Sequence, residues 1–304
     1  MNWKRLLLSL IGIALFIFIL SRVDIHAIFS TIGNANPWPL LAAVILSIIM
    51  VLLKTLRWRT LLKAQKIEYK LRDAFPAYLA SCYLGLVTPG KLGDMSRALY
   101  LRNDLHLPVG KALSSVILDR LFDLYILILI ASYGLFILTP LEGNLALYGI
   151  ILTVILIIPA LALNKRSGKV LGGIVSRFKP QIDQFYSGIS MLTTSKLVLP
   201  SAITIIAYAI CFTQYYLLTL ALGLSISFFT LMAYMAIVSL VELMPISIAG
   251  LGTRDATLIA LFSLQSISAE SALSYSLLVL FAFHILGAVL GIIAWQIKPL
   301  RITK

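Results

Sequence analysis

The sequence contains several charged residues inside apolar segments, and these are its candidates for binding an ion or carrying a proton. Glu242 lies in an apolar run, and Arg254 and Asp255 follow the turn Gly250-Leu251-Gly252. Each charge inside a bilayer costs about 2.5–3.5 kcal/mol on insertion scales. A short helix that begins at Thr253 would direct the free backbone N–H groups of its first turn at an anion. The guanidinium of Arg254 can form two hydrogen bonds to one phosphate group. We therefore expect either an anion site for a lipid head group, with Glu242 or Asp255 as counter-charge or proton carrier, or a structural Glu242–Arg254 pair; the two are compatible.

A second group of charges follows a similar turn earlier in the chain. Lys91, Asp94 and Arg97 belong to, or directly follow, the stretch Thr88-Pro89-Gly90-Lys91-Leu92-Gly93-Asp94. They occupy the place that Arg254 and Asp255 occupy after the other turn, which makes them candidates for the same site. Long basic side chains also reach a nearby interface at little cost, so snorkelling is the simpler explanation for Lys91 and Arg97.

A third group opens a long apolar segment. Asp119 and Asp123 are four residues apart and share one helix face, with Arg120 beside them. An internal ion cluster that orients the helix is the simpler interpretation, and a role of Asp119 and Arg120 in the site is the alternative. We interpret Arg57-Trp58-Arg59 as an interfacial anchor, and His284 as a buried histidine rather than a ligand.

The composition indicates that these charges belong to a membrane protein. Apolar residues make up 60% of the chain and charged residues 12%, whereas a soluble domain carries about 25% charged residues. We interpret the net charge of +13 as serving membrane topology rather than nucleic-acid binding. Cys82 and Cys211 lie in apolar segments and are expected to be buried thiols. No zinc, phosphate-loop or rhomboid-type protease pattern is present, so we expect no metal, no cofactor and no enzyme activity.

The apolar runs predict an all-α integral membrane protein with one polytopic domain over residues 1–304. A bilayer crossing needs about 18 or more apolar residues, and six segments satisfy this: about 5–20, 38–56, 112–138, 145–163, 197–221 and 270–296. We take the first to be a retained signal anchor. Residues 169–196 show apolar residues at helical spacing with an interruption near Pro180, which predicts a cytoplasmic amphipathic surface helix.

The basic residues predict the orientation. They are concentrated in 54–72, 165–196 and the tail from Lys298, and are nearly missing from 21–37 and 139–145. By the positive-inside rule, both termini are then cytoplasmic in a multi-pass protein of the cell membrane. Of the 25 basic residues, all but three fall on the cytoplasmic side; the exceptions are Arg22, Arg120 and Arg254.

Two further apolar stretches, about 74–101 and 229–266, are broken near their centres by Pro and Gly. The predicted crossings before and after the first stretch both have their adjoining ends at the cytoplasmic face, so this stretch must enter and leave there. The crossings before and after the second stretch have their adjoining ends at the outer face, so the second stretch must enter and leave at that face. We therefore predict two re-entrant hairpins from opposite faces that meet near the midplane, an arrangement that points to a transport site. Each contains a Pro, two spaced glycines, an acid and an Arg, so an inverted repeat is a hypothesis.

Three stretches together resemble the lysylphosphatidylglycerol-synthase transmembrane family, also called flippase-like domain proteins. They are Thr88 to Asp94 with Arg97, Asp119-Arg120-Leu121-Phe122-Asp123, and Pro245-Ile246-Ser247-Ile248-Ala249-Gly250-Leu251-Gly252-Thr253-Arg254-Asp255. Arg57-Trp58-x-x-Leu61-Leu62 fits an early motif of the family, and the resemblance covers nearly the whole chain. Asp stands at positions 94, 119 and 255, where the family often has Glu.

The resemblance implies a helical membrane domain that translocates aminoacylated phospholipids or, in stand-alone relatives, handles polyprenyl-phosphate lipids. Because the chain ends at Lys304, directly after the last crossing, we expect no synthase activity. The leading hypothesis is a flippase or scramblase for an anionic or phosphate-bearing lipid. A non-transporting partner of a lipid or envelope synthesis complex, and a lipid-modifying enzyme, are the alternatives. Candidate partners are a lipid head group, a second copy of the chain or a separate lipid-synthesis enzyme.

Overall fold

The computed structural model describes residues 14–138, 179–191 and 194–300. Within these ranges the regular structure is helical and contains no strand, as the sequence predicts. The predicted crossing at 145–163, the start of the crossing at 5–20, and residues 169–178 and 192–193 of the predicted surface helix at 169–196 lie outside the described residues.

The described helices are numbered here in chain order. They are α1 (Ala14–Leu20), α2 (Ile25–Gly33), α3 (Pro37–Ala64), α4 (Leu71–Leu86), α5 (Arg97–Leu105), α6 (Val109–Leu138), α7 (Lys179–Ser190), α8 (Thr194–Ala221), α9 (Phe228–Glu242), α10 (Thr253–Ser263), α11 (Ala269–Val279) and α12 (Leu286–Ile297). A 3₁₀ segment, Pro89–Ser96, precedes α5, and a π-helical segment, Leu280–Ile285, joins α11 to α12.

Three of the predicted crossings are helices that are long and apolar enough to span a membrane. They are Pro37–Ala64, Ser195–Ala221 and the continuous helix Ala269–Ile297. Helices α1 and α2 meet at 86° and count as a fourth span if they are taken together. The predicted crossing at 112–138 is part of α6, which carries the charged residues Asp119, Arg120 and Asp123 in its first half. Exposed apolar side chains cover the outer surfaces of these helices, among them Ile45, Ile48, Ile49 and Leu52 of α3, as a lipid-facing surface requires.

Helix α3 differs from its prediction at its end. The sequence placed the end of the crossing near residue 56 and a loop after Lys54, but the helix continues to Ala64. Its start follows ordinary capping rules, because the Asn36 side chain accepts a hydrogen bond from the Trp38 N–H and Pro37 occupies the first turn. Its last turns stay helical because Arg57 and Trp58 are buried among partners from other helices.

The first broken stretch is a hairpin, called hairpin 1 here and comprising α4, the 3₁₀ segment and α5. Its two ends lie together, since Lys298 Nζ lies 3.4 Å from Asp73 Oδ1 in α4 and 2.6 Å from Asp104 Oδ2 in α5. Burial and the hydrogen bond to Asp104 raise the pKa of Tyr69, which also contacts Lys298, well above its usual value. The chain reverses at Gly90, where φ is +62°, a backbone conformation that favours glycine.

The second broken stretch is hairpin 2, comprising α9, the link 243–252 and α10. The Gln265 side chain after α10 donates to Tyr234 Oη in the first half of α9, so this chain segment also returns to its starting end. Its tip contains Gly250 and Gly252, with φ of +74° and +80°. A Cβ atom at Gly90 of hairpin 1 would lie 3.3 Å from Leu243 O of hairpin 2, so the two tips are in contact.

The hairpins enter the helix bundle from opposite ends. The end called the basic end here holds Ala64, Asp73, Asp104 and Lys298, and the Lys196 ammonium at the start of α8 bonds Ala64 O there. At the opposite end, the Asn36 N–H before α3 donates to Ala221 O at the end of α8. The predicted geometry of two opposed hairpins that meet between the ends is therefore present.

The described part of the chain contains the same order of elements twice, a long helix, a hairpin and a second long helix, and the two copies run in opposite directions through the bundle. Helix α3, hairpin 1 and α6 follow one another, and α8, hairpin 2 and the continuous helix α11–α12 follow in the same order. Helices α3 and α8 pack along each other in opposite directions, while α4 packs on α12 and α9 packs on α6. Each hairpin therefore rests on the long helix of the other half, an arrangement consistent with the inverted-repeat hypothesis.

Candidate functional site

Arg57 of α3 is the centre of a buried ion network. Its Nε lies 2.8 Å from Asp119 Oδ1, and its Nη1 lies 2.8 Å from Asp123 Oδ1. Arg57 also donates to the backbone O of Asp119 and to Thr204 Oγ1 of α8. Neither Arg57 nor Asp119 has exposed side-chain surface. The interpretation of Arg57 as an interfacial anchor is therefore wrong, because its guanidinium binds protein groups that tie α3 to α6.

Hairpin 1 joins this network through Arg97. The Nη1 atom of Arg97 lies 2.7 Å from Asp119 Oδ2, so Arg57 and Arg97 each bind one oxygen of the same carboxylate. The Arg97 guanidinium also lies over the rings of Trp58 and Tyr78, 5.2 and 4.5 Å from their centroids, a cation–π arrangement. Its side chain has no exposed surface. The snorkelling explanation for Arg97 is therefore wrong.

Arg120 and Asp94 continue the network toward the hairpin tips. Arg120 Nη2 lies 2.9 Å from Asp94 Oδ2, and Lys54 Nζ of α3 lies 3.3 Å from Asp123 Oδ1. The Asp94 carboxylate packs directly on Gly85 of α4, where a Cβ atom would overlap it. The absence of a side chain at Gly85 therefore lets the carboxylate reach Arg120. Asp119, Arg120 and Asp123 form the ion cluster that the sequence predicts.

A second buried group holds the tip of hairpin 2. Arg254 Nε donates to Ser276 Oγ of α11 at 2.7 Å, and the Ser276 hydroxyl also hydrogen-bonds Asp255. Asp255 Oδ2 accepts from the Gly252 N–H at 2.8 Å and so caps the first turn of α10. Arg254 and Asp255 have no exposed side-chain surface. Among the described contacts, their role is to fix the start of α10, which begins at Thr253 as predicted.

Glu242, the last residue of α9, lies among three groups that carry or can carry positive charge. Its Oε2 is 3.2 Å from Lys91 Nζ of hairpin 1 and 3.8 Å from His284 Nε2. Its Oε1 is 3.8 Å from Arg254 Nη1. The Glu242–Arg254 contact that the sequence suggests is present but long, and the shortest contact joins Glu242 to the other hairpin.

A cavity of about 380 Å³ lies between these two groups of charges. The first network contributes Lys54, Asp94, Arg120 and Asp123 to its wall; the hairpin tips and the π-helical segment contribute Lys91, Glu242 and His284. Apolar and aromatic side chains complete the wall, together with both cysteines of the chain, Cys82 and Cys211. A concave site with few polar groups in an apolar wall is the usual form of a small-molecule or lipid head-group pocket.

Four buried polar atoms in the cavity wall have no hydrogen-bond partner among the described residues. They are the Tyr78 hydroxyl, Arg120 Nε, His284 Nδ1 and one carboxylate oxygen, Asp123 Oδ2. Buried polar groups are normally satisfied, so each of these atoms calls for a partner that binds in or beside the cavity. Phosphate oxygens would satisfy the two donors, the Tyr78 hydroxyl and Arg120 Nε.

The structure brings together some of the predicted site residues and separates others. Lys91, Asp94, Arg120 and Glu242 all line the cavity. Arg97, Asp119, Arg254 and Asp255 are buried behind it, bonded to other protein groups. Sequence reasoning missed Lys54 and Tyr78 as cavity residues. The only sequence signal for Lys54 was a lysine at the end of an apolar run, and it was interpreted as topological charge.

The helices and the polar cavity define a polytopic helical membrane protein with two opposed broken hairpins around a charged pocket. The chain belongs to the family described as the lysylphosphatidylglycerol synthase TM region, whose sequence model matches residues 5–291. A UPF0104 membrane protein of Methanocaldococcus jannaschii is 24% identical over 99% of this chain and 97% of its own. Two UPF0104 membrane proteins of Methanothermobacter thermautotrophicus are each 25% identical, over 88% and 96% of this chain and 88% and 93% of their own.

Proposed function

We propose that this protein moves a phosphate-bearing lipid across the membrane by holding its head group in the cavity between the hairpin tips. The observation that supports this most directly is the wall itself, where Lys54, Lys91 and Arg120 carry positive charge beside three carboxylates, and where the Arg120 Nε and Tyr78 hydroxyl lack acceptors among the described residues. A phosphate offers several strong acceptors and a negative charge, which match those groups. The apolar remainder of the wall suits the adjoining part of a lipid.

The cavity residues and the residues behind them have different roles in this proposal. The three cations are partly exposed: 32% of the Lys91 side chain, 24% of Arg120 and 16% of Lys54. They bind the head group. The fully buried arginines, Arg97 and Arg254, position the hairpins by bonding Asp119 and Asp255. This assigns Arg254 to positioning rather than to head-group contact.

The opposed hairpins suggest how access alternates between the two sides. Each hairpin is anchored at one end of the bundle, and their tips meet beside the cavity through Lys91 and Glu242. Separation of the tips would extend the cavity toward one end, and inverted repeats are the usual basis for such alternation. We propose that the basic end is cytoplasmic, that both termini lie there, and that the lipid is moved without chemical change.

Fluorescent-lipid translocation in liposomes tests the proposal. The purified protein is reconstituted, and the movement of tail-labelled phosphatidylglycerol, lysyl-phosphatidylglycerol and a polyprenyl phosphate is followed by dithionite quenching. We expect at least one lipid to move, and we expect Arg120→Gln to slow it at least tenfold. Lys63→Gln, the matched loss of one exposed positive charge near the end of α3, should leave the rate unchanged.

Two outcomes would contradict the proposal. If a folded, reconstituted protein moves none of the lipids, the transport function is wrong, and a non-transporting partner in a lipid-synthesis complex becomes the better explanation. If a lipid is recovered chemically altered, the protein is a lipid-modifying enzyme. Mass spectrometry of the recovered lipid separates these outcomes.

A further inference from the structure

The charged groups in the interior of the described bundle do not cancel. The interior of the described bundle contains the cations Lys54, Arg57, Lys91, Arg97, Arg120 and Arg254, and the carboxylates Asp94, Asp119, Asp123, Glu242 and Asp255. With His284 counted as neutral, one positive charge is left without a carboxylate. The other charged residues of the described ranges lie near helix ends or in links between helices.

The excess charge lies directly behind the cavity wall. The charges of the wall itself balance, because its three partly exposed cations, Lys54, Lys91 and Arg120, are matched by the carboxylates Asp94, Asp123 and Glu242. Behind the wall, the fully buried cations Arg57, Arg97 and Arg254 outnumber the carboxylates Asp119 and Asp255 by one. Among the described residues, an added anion approaches this excess from the cavity, where the cations of the wall are partly exposed.

From this balance we infer that the site selects a phosphodiester head group, which carries one negative charge, over a phosphomonoester head group, which carries two. This inference rests on the proposed function and specifies its substrate class. One negative charge makes the interior neutral. A second negative charge would be left uncompensated inside the membrane, where an unpaired charge is costly.

The two classes of head group can be compared with lipids that differ in little else. Phosphatidylmethanol is a phosphodiester with one negative charge, and phosphatidic acid is a phosphomonoester whose second ionisation lies near pH 6, by analogy with phosphoserine. At pH 8 the monoester therefore carries more negative charge than the diester, whose single charge does not change with pH. The two head groups differ by a single methyl group, so size contributes little to the comparison.

The experiment measures competition at pH 8 in liposomes that contain the wild-type protein and fluorescent phosphatidylglycerol. Unlabelled phosphatidylmethanol or phosphatidic acid is added at equal surface concentration, and phosphatidylcholine serves as the neutral control. We expect phosphatidylmethanol to inhibit movement of the fluorescent lipid at least tenfold more effectively than phosphatidic acid does. Equal inhibition, or stronger inhibition by phosphatidic acid, would overturn the inference.

Variants that change the interior charge by one unit extend the test. Glu242→Gln raises the excess to two positive charges, and we expect it to shift the preference toward phosphatidic acid. Asp94→Asn makes the same charge change at another part of the wall, so it replaces Glu242→Gln if that variant fails to fold. Lys54→Gln removes the excess and should weaken competition by both anionic lipids. An unchanged preference in folded Glu242→Gln or Asp94→Asn protein would show that charge balance does not set the selectivity.

The two proposals fail in different ways. If neither a fluorescent phospholipid nor the polyprenyl phosphate moves in the absence of competitor, the transport function itself is wrong. If only the polyprenyl phosphate moves, transport stands and the charge selectivity is wrong, because that lipid is a phosphomonoester. If the fluorescent lipid moves but phosphatidic acid competes as well as phosphatidylmethanol, transport stands and only the charge selectivity is wrong.

Discussion

Lys91 and Glu242 connect the tips of the two hairpins, with 3.2 Å between Lys91 Nζ and Glu242 Oε2. The two residues are 151 positions apart in the chain and belong to opposite halves of the inverted arrangement. Both also line the cavity. Under the proposed function, this contact would couple head-group binding to hairpin movement, because a phosphate bound to Lys91 would compete with Glu242 for the same ammonium group.

Replacing Lys91 with Gln should therefore impair transport more than it impairs folding. We expect Lys91→Gln to slow lipid movement at least tenfold, because the variant loses a head-group cation and the contact between the tips. Its free energy of unfolding should fall by less than about 3–5 kcal/mol, the usual cost of removing one partner of a buried ion pair, because the buried Glu242 keeps Arg254 and His284 nearby. Translocation rates and thermal unfolding in detergent measure the two effects. A variant that transports at the wild-type rate would remove Lys91 from the site.

Replacing Arg57 should have the opposite pattern, with the main effect on stability. In Arg57→Gln, Asp119 keeps only Arg97 as a close ion-pair partner among the described residues. Asp123 keeps Lys54 and Arg120, at the longer distances of 3.3 and 3.5 Å. Removing one partner from a buried ion pair costs about 3–5 kcal/mol. We expect a clear loss of thermal stability in detergent, whereas Arg72→Gln, at a side chain that is 83% exposed, should have little effect. Equal stability of the two variants would mean that the network does not hold α3 against α6.

The prominent features of this fold could be predicted from the sequence because they depend on local patterns. Apolar runs of sufficient length predicted α3, α6, α8 and the continuous helix α11–α12, and the Pro and Gly residues at 89–90 and 245–252 predicted the two hairpins. The basic residues led to the correct inference that the hairpins enter from opposite ends.

The partners of the buried arginines could not be predicted in the same way. Arg57 binds Asp119, which is 62 residues away, and Arg254 binds Ser276, which is 22 residues away. No local spacing indicates such pairs. Arg57 was therefore assigned to the interface because it follows an apolar run, and Arg254 was assigned to head-group contact because a Gly-Leu-Gly turn precedes it. Only the packing of α3 on α6, and of α10 on α11, shows that both are bonded internally.

The contact between hairpin 1 and the other half of the molecule depends on Gly291 of α12. A Cβ atom there would lie 2.7 Å from Leu79 O and 2.5 Å from Tyr83 Cβ of α4. Gly291→Ala should therefore separate α12 from α4 and lower the free energy of unfolding by about 1–3 kcal/mol, the usual cost of overpacking.

Gly287, one turn earlier on α12, is the matched control for this prediction. A Cβ atom at Gly287 would have no neighbour within 4 Å, and alanine favours helix more than glycine does by about 1 kcal/mol. Gly287→Ala should therefore keep or slightly raise the melting temperature in detergent. If both variants melt at the same temperature, the close approach of α12 to α4 does not contribute to stability.

The two cysteines supply a test of the cavity that requires no added residue. Cys82 of α4 and Cys211 of α8 are free thiols and both line the cavity wall, and the chain contains no other cysteine. If the head group passes through this cavity, a bulky thiol reagent attached to either residue should obstruct it. We expect a maleimide to slow lipid movement at least fivefold, and we expect the transported lipid to protect the thiols from labelling.

The double variant Cys82→Ala/Cys211→Ala separates obstruction from indirect effects. Both thiols are replaced by smaller side chains, so the variant should transport lipid but no longer respond to the maleimide. Inhibition of the cysteine-free variant would show that the reagent acts elsewhere. Complete labelling of the wild-type protein without any change in rate would show that lipid does not pass through this cavity, because a modified side chain would then occupy the proposed path without blocking it.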